Sequence, residues 1–257
     1  MKQENCVVVV GLGEVGRPLR ELLSQHYNVI GVDIAPPSAE IGRVSVLHLC
    51  FPFEVPDFVG EAARYIEKFR PEVAVVNSTV AVGTTRKIAA RTNTLVVNSP
   101  VRGKHVRMLE EMRHYTKFIG TSDPAAGRLV AEHFAAVGMK TKVLTTPEAT
   151  ELAKLTETTY FGLMIAWAQE VERYCDQSGA SYEEIISFYD EISFFPRTKY
   201  FPGIIGGHCV MPNIEILRRF DDSQILKAIK SSNEAKIARD SAKKTMAQAA
   251  ILSNSKS

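Results

Sequence analysis

The sequence has 257 residues, enough for one large domain or two modest ones at a typical domain size of ~150 residues. Hydrophobic residues make up 45% and charged residues 23%, an ordinary composition that argues against a disordered, collagenous or coiled-coil chain. The formal net charge of +2 is too small to indicate a protein that coats nucleic acid or binds membranes through a polybasic surface.

The first 147 residues alternate between strand-like and helix-like segments. Residues 7–10 form a β-branched run that stops at Gly11, which is typical of a strand buried on both faces of a parallel sheet. Further strands are predicted at 29–32, 44–50, 73–76, 95–97 and 118–119, with helices near 14–26, 58–69, 84–91 and 124–137. This alternation predicts an α/β fold with a Rossmann-type, doubly wound parallel sheet.

Strand-like runs disappear after Pro147. Residues 148–177 have an uninterrupted helical pattern about 45 Å long, closed by Ser178 and Gly179. Ser181 and Glu184 have capping-box spacing for a further helix, a Gly- and Pro-rich loop follows at 196–212, and a last helix is predicted at 223–252. We therefore expect an NAD-binding Rossmann domain at 1–147 and an all-helical dimerisation domain at 148–257.

The cysteines and the N-terminal region bear on the compartment. Cys6, Cys50, Cys175 and Cys209 lie far apart with no C-x-x-C pair, so their spacing suggests neither a metal site nor a disulfide framework. The apolar run at 6–10 is far shorter than the ~20 residues that span a bilayer. We expect reduced thiols in the cytoplasm, no signal peptide and no transmembrane helix.

The segment GLGEVG at 11–16 lies between a predicted strand and a predicted helix. In that position Gly11 permits a tight turn, Gly13 lets the backbone approach a pyrophosphate, and Gly16 lets helix and strand pack closely. Asp33, at the end of the second strand, can accept hydrogen bonds from a ribose 2′-hydroxyl and would repel a 2′-phosphate, which favours NAD over NADP. The alternatives are an ordinary tight turn or a methyltransferase glycine loop. The residues expected to hold the cofactor are Gly11, Gly13, Glu14, Val15, Gly16, Asp33 and Thr79.

Five segments in order along the chain carry a more specific pattern. They are GLGEVGRPL at 11–19, STVAVGTTRKI at 78–88, ELAKLTETTYFGLMIAWAQEVERYCDQSGA at 151–180, GGHCVMPN at 206–213 and ILKAIKSSNEAKI at 225–237. Their combination resembles the UDP-glucose/GDP-mannose dehydrogenase family. In that family a Rossmann domain leads into a helical dimerisation domain and then a third, sugar-nucleotide-closing domain, and this sequence resembles the first two. The resemblance implies NAD-dependent oxidation of a primary alcohol on a nucleotide sugar, with a cysteine that captures the aldehyde.

Catalytic residues follow from the same resemblance, position by position. Lys154 matches the lysine that stabilises developing oxyanion charge, and Cys209 matches the nucleophilic cysteine. Thr158 stands where the family has an asparagine, and Asn213 stands where it has an acid. Thr79 matches a threonine near the reacting centre. These five residues are the expected catalytic set.

The segment SPVRGK at 99–104 departs from the resemblance, because the family often has two glutamates there that serve proton transfer and water activation. Arg102 and Lys104 occupy this loop, and His208 precedes the cysteine. A second loop carries Arg197 and Lys199, and if the two loops converge, their cations favour a carboxylate or phosphate substrate. The expected substrate-binding residues are Arg102, Lys104 and His208.

Each site residue also has an ordinary structural explanation. Lys154 can be a solvated surface lysine, Cys209 a small buried apolar group and His208 a partner of backbone groups. The spacing of Tyr160, Trp167 and Tyr174 indicates core or dimer packing rather than a stacking platform.

We expect a cytoplasmic, homodimeric, NAD-dependent oxidoreductase that acts on an alcohol group of a sugar nucleotide or of a smaller anionic substrate, without metal, nucleic acid or membrane. The alternative is a non-catalytic, NAD-binding regulatory relative. Retained Lys154 and Cys209 favour the enzyme, whereas Thr158, Asn213 and Val101 favour the regulatory relative.

Overall fold

The structure is a computed structural model that describes residues 5–33, 42–103, 107–192, 200–207 and 209–254. The chain divides into two compact units, Met1–Leu155 and Thr156–Ser257. The predicted domain boundary at Pro147 is the residue at which the longest helix begins, and that boundary stays a prediction.

The first unit is built on a seven-stranded sheet in the order β2-β1-β3-β4-β5-β6-β7. Neighbouring strands are parallel except β5 and β6, which run antiparallel through the single pair Asn98 and Gly120. The strands are β1 (Cys6–Val10), β2 (Val29–Val32), β3 (Val44–Leu49), β4 (Val73–Val76), β5 (Leu95–Asn98), β6 (Lys117–Gly120) and β7 (Thr141–Leu144).

Helices follow most of these strands. They are α1 (Gly16–Leu23), α2 (Phe58–Phe69), α3 (Thr84–Thr92), α4 (Met108–His114) and α5 (Pro124–Ala135), and α6 (Pro147–Ser178) continues into the second unit. The sequence did not predict α4 or β7, because α4 is only 7 residues long and β7 is a 4-residue strand of mixed polarity. The α/β class and the predominantly parallel sheet are confirmed.

Two apolar layers cover the sheet. The side chains of Val7 and Val9 pack into the layer that contains α1 and α5, whereas Val8 and Val10 pack into the layer that contains α2. Successive strand residues point to opposite faces, so an unbroken β-branched run is buried on both sides. The carboxyl ends of the parallel strands therefore meet at one edge of a rigid sheet.

The described part of the second unit is helical. It comprises the rest of α6, α7 (Tyr182–Ser187), a 3-10 turn (Phe188–Glu191), α8 (Val210–Arg218) and α9 (Gln224–Asn254). Ser181 caps α7 by accepting a hydrogen bond from the Glu184 amide, as its spacing predicts. The loop prediction for 210–212 is wrong, because α8 begins at Val210. Pro212 fits its first turn, where backbone amides have no partner within the helix.

The long helices of this unit carry its polar interior. Gln169 on α6 donates to the backbone oxygen of Gly203, and Asn233 on α9 accepts from the Ile205 amide at 2.7 Å. Lys236 on α9 is paired with Glu172 on α6. Among the described residues, no helix is both long and apolar enough to cross a membrane.

Candidate active site

The glycine loop has the geometry that its sequence predicts. Gly11 has φ +86°, and a Cβ there would lie 2.8 Å from the Phe51 amide nitrogen, so only glycine fits. A Cβ on Gly16 would lie within bonding distance of the Gly11 carbonyl oxygen. Around Gly13, by contrast, a Cβ would meet nothing within 4 Å, which leaves space for a ligand to approach the backbone. The loop therefore fits a pyrophosphate at the start of α1.

The end of β2 is tied to this loop. The Gly11 amide donates to the Val32 carbonyl at 2.8 Å, and the exposed Asp33 is the next residue. The carboxylate that sequence analysis assigned to the ribose thus directly follows a residue bonded to the glycine loop.

Thr79 follows β4 at the same edge of the sheet and is partly buried. The neighbouring Ser78 hydroxyl donates to the Phe51 carbonyl at 2.6 Å, and Phe51 also borders Gly11. The structure thus connects the loop after β4 with the glycine loop through one residue. In α/β sheets of this kind, ligands bind beside the carboxyl ends of the strands.

Glu151 on α6 was not singled out from the sequence as a site residue, yet it joins two of the motifs. Its side chain is 1% exposed, and it accepts from the Gly83 amide at 2.6 Å, the Thr85 amide at 2.9 Å and the Thr85 hydroxyl at 2.7 Å. Burial raises the pKa of this carboxyl, and the donated hydrogen bonds oppose that shift. The carboxylate accepts hydrogen bonds from amides at the start of α3. The GTT segment at 83–85 and the ELAK segment at 151–154 are therefore joined by a buried helix cap.

We expect Glu151→Ala to destabilise the protein by about 2 to 3 kcal/mol, because it leaves buried donors without an acceptor. Thermal or urea unfolding measures this loss. Glu148→Ala is the matched control, since Glu148 pairs with the exposed Arg86 and such surface pairs contribute about 1 kcal/mol or less. Equal losses in the two variants would contradict the buried cap.

Lys154 is partly buried on α6, one turn beyond Thr150. The Thr150 hydroxyl donates to the Asn98 side-chain oxygen at 2.7 Å, which fixes that face of the helix against the end of β5. Residues i and i+4 share a helix face, so Lys154 lies on the side that faces this edge of the sheet.

A second lysine, Lys117, lies at the same edge and was missed in the sequence. It is 4% exposed, and its amine donates to the Ser99 carbonyl at 2.5 Å and to the Asn77 side-chain oxygen at 3.1 Å. Burial lowers its pKa to about 7; the nearby Cys50 opposes the shift and the charge of Lys154 adds to it. The available signal was an isolated lysine at the start of an apolar strand.

Behind Lys117 lies a buried polar chain that sequence analysis also missed. The side-chain nitrogen of Asn77 is 3.2 Å from His48 Nδ1, and His48 Nε2 is 3.0 Å from His133 Nε2. Because Lys117 donates to the Asn77 oxygen, the Asn77 nitrogen donates to His48, which must then donate to His133. Tyr27 stacks on His133 at 4.5 Å. Both histidines are therefore held neutral.

Cys50, which lies near Lys117, is a poor nucleophile because it is buried. Cys50 follows β3, and burial raises the pKa of its thiol to about 12 despite the opposing effect of Lys117. A thiol with so high a pKa stays protonated and is a poor nucleophile at neutral pH.

In the second unit, two of the predicted catalytic residues contact each other. The Asn213 side-chain nitrogen donates to the Thr158 hydroxyl at 3.1 Å, and Asn213 is 4% exposed. Cys209 is partly buried and directly precedes α8. The catalytic roles of these three residues stay predictions.

The predicted substrate-binding residues are only partly described. The Arg102 guanidinium lies over the ring of Tyr115 at 5.2 Å and near that of Phe118 at 5.8 Å. Lys104 and His208 lie outside the described residues. Binding of an anion by Arg102 stays a prediction.

Known proteins resemble both units. Residues 148–235 match the central domain of the UDP-glucose/GDP-mannose dehydrogenase family. A UDP-N-acetyl-D-mannosamine dehydrogenase of Methanococcus vannielii is 24% identical, over 79% of this chain and 59% of its own length.

Solved structures give the same fold. The UDP-D-ManNAc dehydrogenase of Pyrococcus horikoshii has a TM-score of 0.78 at 21% identity, covering 92% of this chain and 70% of the other. A 3-hydroxyisobutyrate dehydrogenase of Mycobacterium tuberculosis has a TM-score of 0.68 at 13% identity, covering 93% and 94%.

The chain spans about three fifths of the length of the Methanococcus vannielii relative. The match to the central domain is preceded by a Rossmann-type unit with an intact glycine loop, and the fold shared with the Pyrococcus horikoshii structure covers 92% of this chain. The chain thus resembles the UDP-glucose/GDP-mannose dehydrogenase family, whose central domain matches residues 148–235.

Proposed function

We propose that the protein is an NAD-dependent oxidoreductase that acts on an alcohol group of a sugar nucleotide or of a smaller anionic substrate. One observation carries the proposal: the first unit holds the open glycine loop and the helix face of Lys154 at the carboxyl edge of the same sheet. The relatives named as nucleotide-sugar dehydrogenases support it. Because the Methanococcus vannielii relative is longer than this chain, which covers 59% of its length, the substrate class is part of the proposal.

In this proposal the chain binds, orients and stabilises charge. The backbone from Gly11 to Gly16 and the start of α1 hold a pyrophosphate, and Asp33 accepts the ribose hydroxyls. NAD, when bound, supplies the acceptor for the hydride. Lys154 stabilises the negative charge that develops on the substrate oxygen.

We expect NAD to bind at least ~10-fold more tightly than NADP, because the Asp33 carboxylate repels a 2′-phosphate. Calorimetry of the whole chain with each dinucleotide measures the ratio. Asp33→Ser should reduce the ratio of NAD affinity to NADP affinity, because it removes the negative charge. Tighter binding of NADP to the wild type would overturn the cofactor assignment.

Activity is tested with nucleotide sugars, sugar phosphates and small hydroxy acids, each with NAD. Reduction of NAD with at least one of them is the expected result. Tight NAD binding with no turnover of any of these substrates would instead favour the regulatory relative.

That second function has an observation of its own. Asn213 stands where the family has an acid, and its amide donates to Thr158, so these two polar groups engage each other. This pairing favours a non-catalytic NAD-binding protein, whose dinucleotide affinity would be independent of Thr158 and Asn213.

We also propose a homodimer, formed through α6. Four of its exposed aromatic and apolar residues follow heptad-like spacing: Tyr160, Trp167 and Tyr174, which are about half exposed, and Leu163, which is 36% exposed. Two other apolar residues of α6, Leu155 and Val171, lie outside this stripe, because each is buried within its own unit.

Light scattering should give about twice the 28.4 kDa chain mass. Trp167→Lys should shift the protein toward monomer by placing a charge in this stripe. Phe220→Lys, at an exposed phenylalanine outside the stripe, is the control. A wild-type monomer at micromolar concentration would contradict the dimer. We also propose a cytoplasmic location, which the wide spacing of the four cysteines, without a C-x-x-C pair, supports.

A further inference from the structure

The amine of Lys117 lies at the carboxyl edge of the sheet in the first unit, and the charge of Lys154 acts on it. Lys117 donates to Ser99, and the neighbouring Asn98 accepts from Thr150, one helical turn before Lys154. Gly120, at the other end of the strand that begins with Lys117, lies so close to Thr150 that any added Cβ would clash. Strand β6, which begins with Lys117, and helix α6, which carries Lys154, therefore both contact the end of β5 and the residue after it, Asn98 and Ser99.

The surroundings of Lys117 disfavour its charged form. Its amine is buried, and the acceptors it contacts are neutral: the Ser99 carbonyl and the Asn77 amide oxygen. The Phe134 ring centroid lies 5.2 Å from the amine, and this cation–π contact favours the charged form, but the effect of burial is larger and the pKa of Lys117 is lowered. The titratable groups that act on it are Cys50 after β3, His48 within β3 and Lys154 on α6. No carboxylate among the described residues forms an ion pair with Lys117. A buried ammonium in such surroundings releases its proton readily.

We propose that Lys117 is a positioning residue for alcohol oxidation, which acts through Lys154 by providing the amine that takes up the hydroxyl proton of the substrate. This inference rests on the proposed function. Oxidation of an alcohol to a carbonyl releases a hydride, for which the nicotinamide is the acceptor, and one proton from the hydroxyl. An ammonium cannot take that proton, but two interacting amines that together lack one proton can.

In this arrangement Lys154 faces the substrate and Lys117 receives the proton behind it. The hydroxyl proton passes to Lys154 as Lys154 passes one of its own to neutral Lys117, so the charge beside the substrate oxygen is kept. The first proton leaves such a pair near neutral pH, in agreement with the pKa of about 7 for Lys117. The pair therefore accepts a proton under conditions in which an ordinary lysine, with a pKa of about 10.4, cannot.

The pH dependence of turnover tests the inference. Wild-type kcat/KM should rise with pH through an apparent pKa near 7. In Lys117→Met this rise should move to the pH range in which an ordinary lysine loses its proton. The kcat/KM of the variant should therefore be ~10²-fold or more below that of the wild type at pH 7.5 and recover near pH 10. Lys142→Met, at an exposed lysine, is the matched control and should keep the wild-type profile. A loss in Lys117→Met that is uniform across pH would show a purely structural role and overturn the inference.

A second measurement needs neither substrate nor cofactor. NMR of the lysine side-chain amines in the whole chain should show one amine that titrates near neutral pH in the wild type and is missing in Lys117→Met. Ordinary titration of every amine would overturn the inference whatever the activity. A neutral-pH titration without turnover of any tested alcohol would overturn the proposed function, and with it the proton-acceptor role, while the amine pair itself would stand.

Discussion

Lys154→Ala is expected to lower turnover by at least ~10²-fold in any catalytic form of this protein. Removal of a group that stabilises charge only in the transition state typically has an effect of this size. Thr150, one turn earlier on the helix, is fixed to Asn98, so the backbone that carries residue 154 should keep its place. The dissociation constant for NAD should therefore change little while kcat falls.

Steady-state kinetics and calorimetry on the same preparations separate these two effects. Lys87→Ala is the control, because Lys87 is an exposed lysine on α3. If Lys154→Ala and Lys87→Ala had the same turnover, Lys154 would be an ordinary surface residue. Unchanged NAD affinity together with the large loss of kcat would assign it to the chemical step.

Local sequence signals were sufficient for the glycine loop and the long helices. Gly11, Gly13 and Gly16 lie two and three positions apart, and the turn they form depends on neighbours in sequence. The position of Asp33 directly after β2 was predictable from the strand pattern, whereas its contact with the ribose stays a prediction. The exact start of α8 was not predictable, because Pro212 is compatible with both a loop and a first helical turn.

The buried polar chain could not be predicted in this way. Asn77 and Lys117 are 40 residues apart, and His48 and His133 are 85 residues apart, so only the folded sheet brings them together. In the sequence each is a single polar residue among apolar ones. The fold class therefore follows from the sequence pattern alone, whereas the polar chain behind Lys117 depends on contacts between residues far apart in sequence.

The histidine pair predicts acid lability of the first unit. Burial is the main cause that lowers the pKa of His133 to about 4, and it lowers that of His48 well below the usual value of 6.5. In the unfolded chain both bind a proton near pH 6.5, so the unfolded state carries more protons between that pH and about 4. The contribution of the two histidines to the free energy of unfolding is thus fully present above pH 6.5 and is lost as the pH falls.

Urea denaturation at pH 7.5 and pH 4.5 should show this loss, to which His133 alone contributes roughly 2 to 3 kcal/mol. Carboxylates also titrate in this range, so the informative quantity is the difference between wild type and variant. The double variant His48→Gln, His133→Gln should lose markedly less stability on acidification than the wild type, even if it starts less stable. His114→Gln, at an exposed histidine, should behave as the wild type does. Equal acid sensitivity of the wild type and the double variant would show that the buried histidines bind protons without unfolding, because water or a rearrangement of Asn77 then compensates their charge.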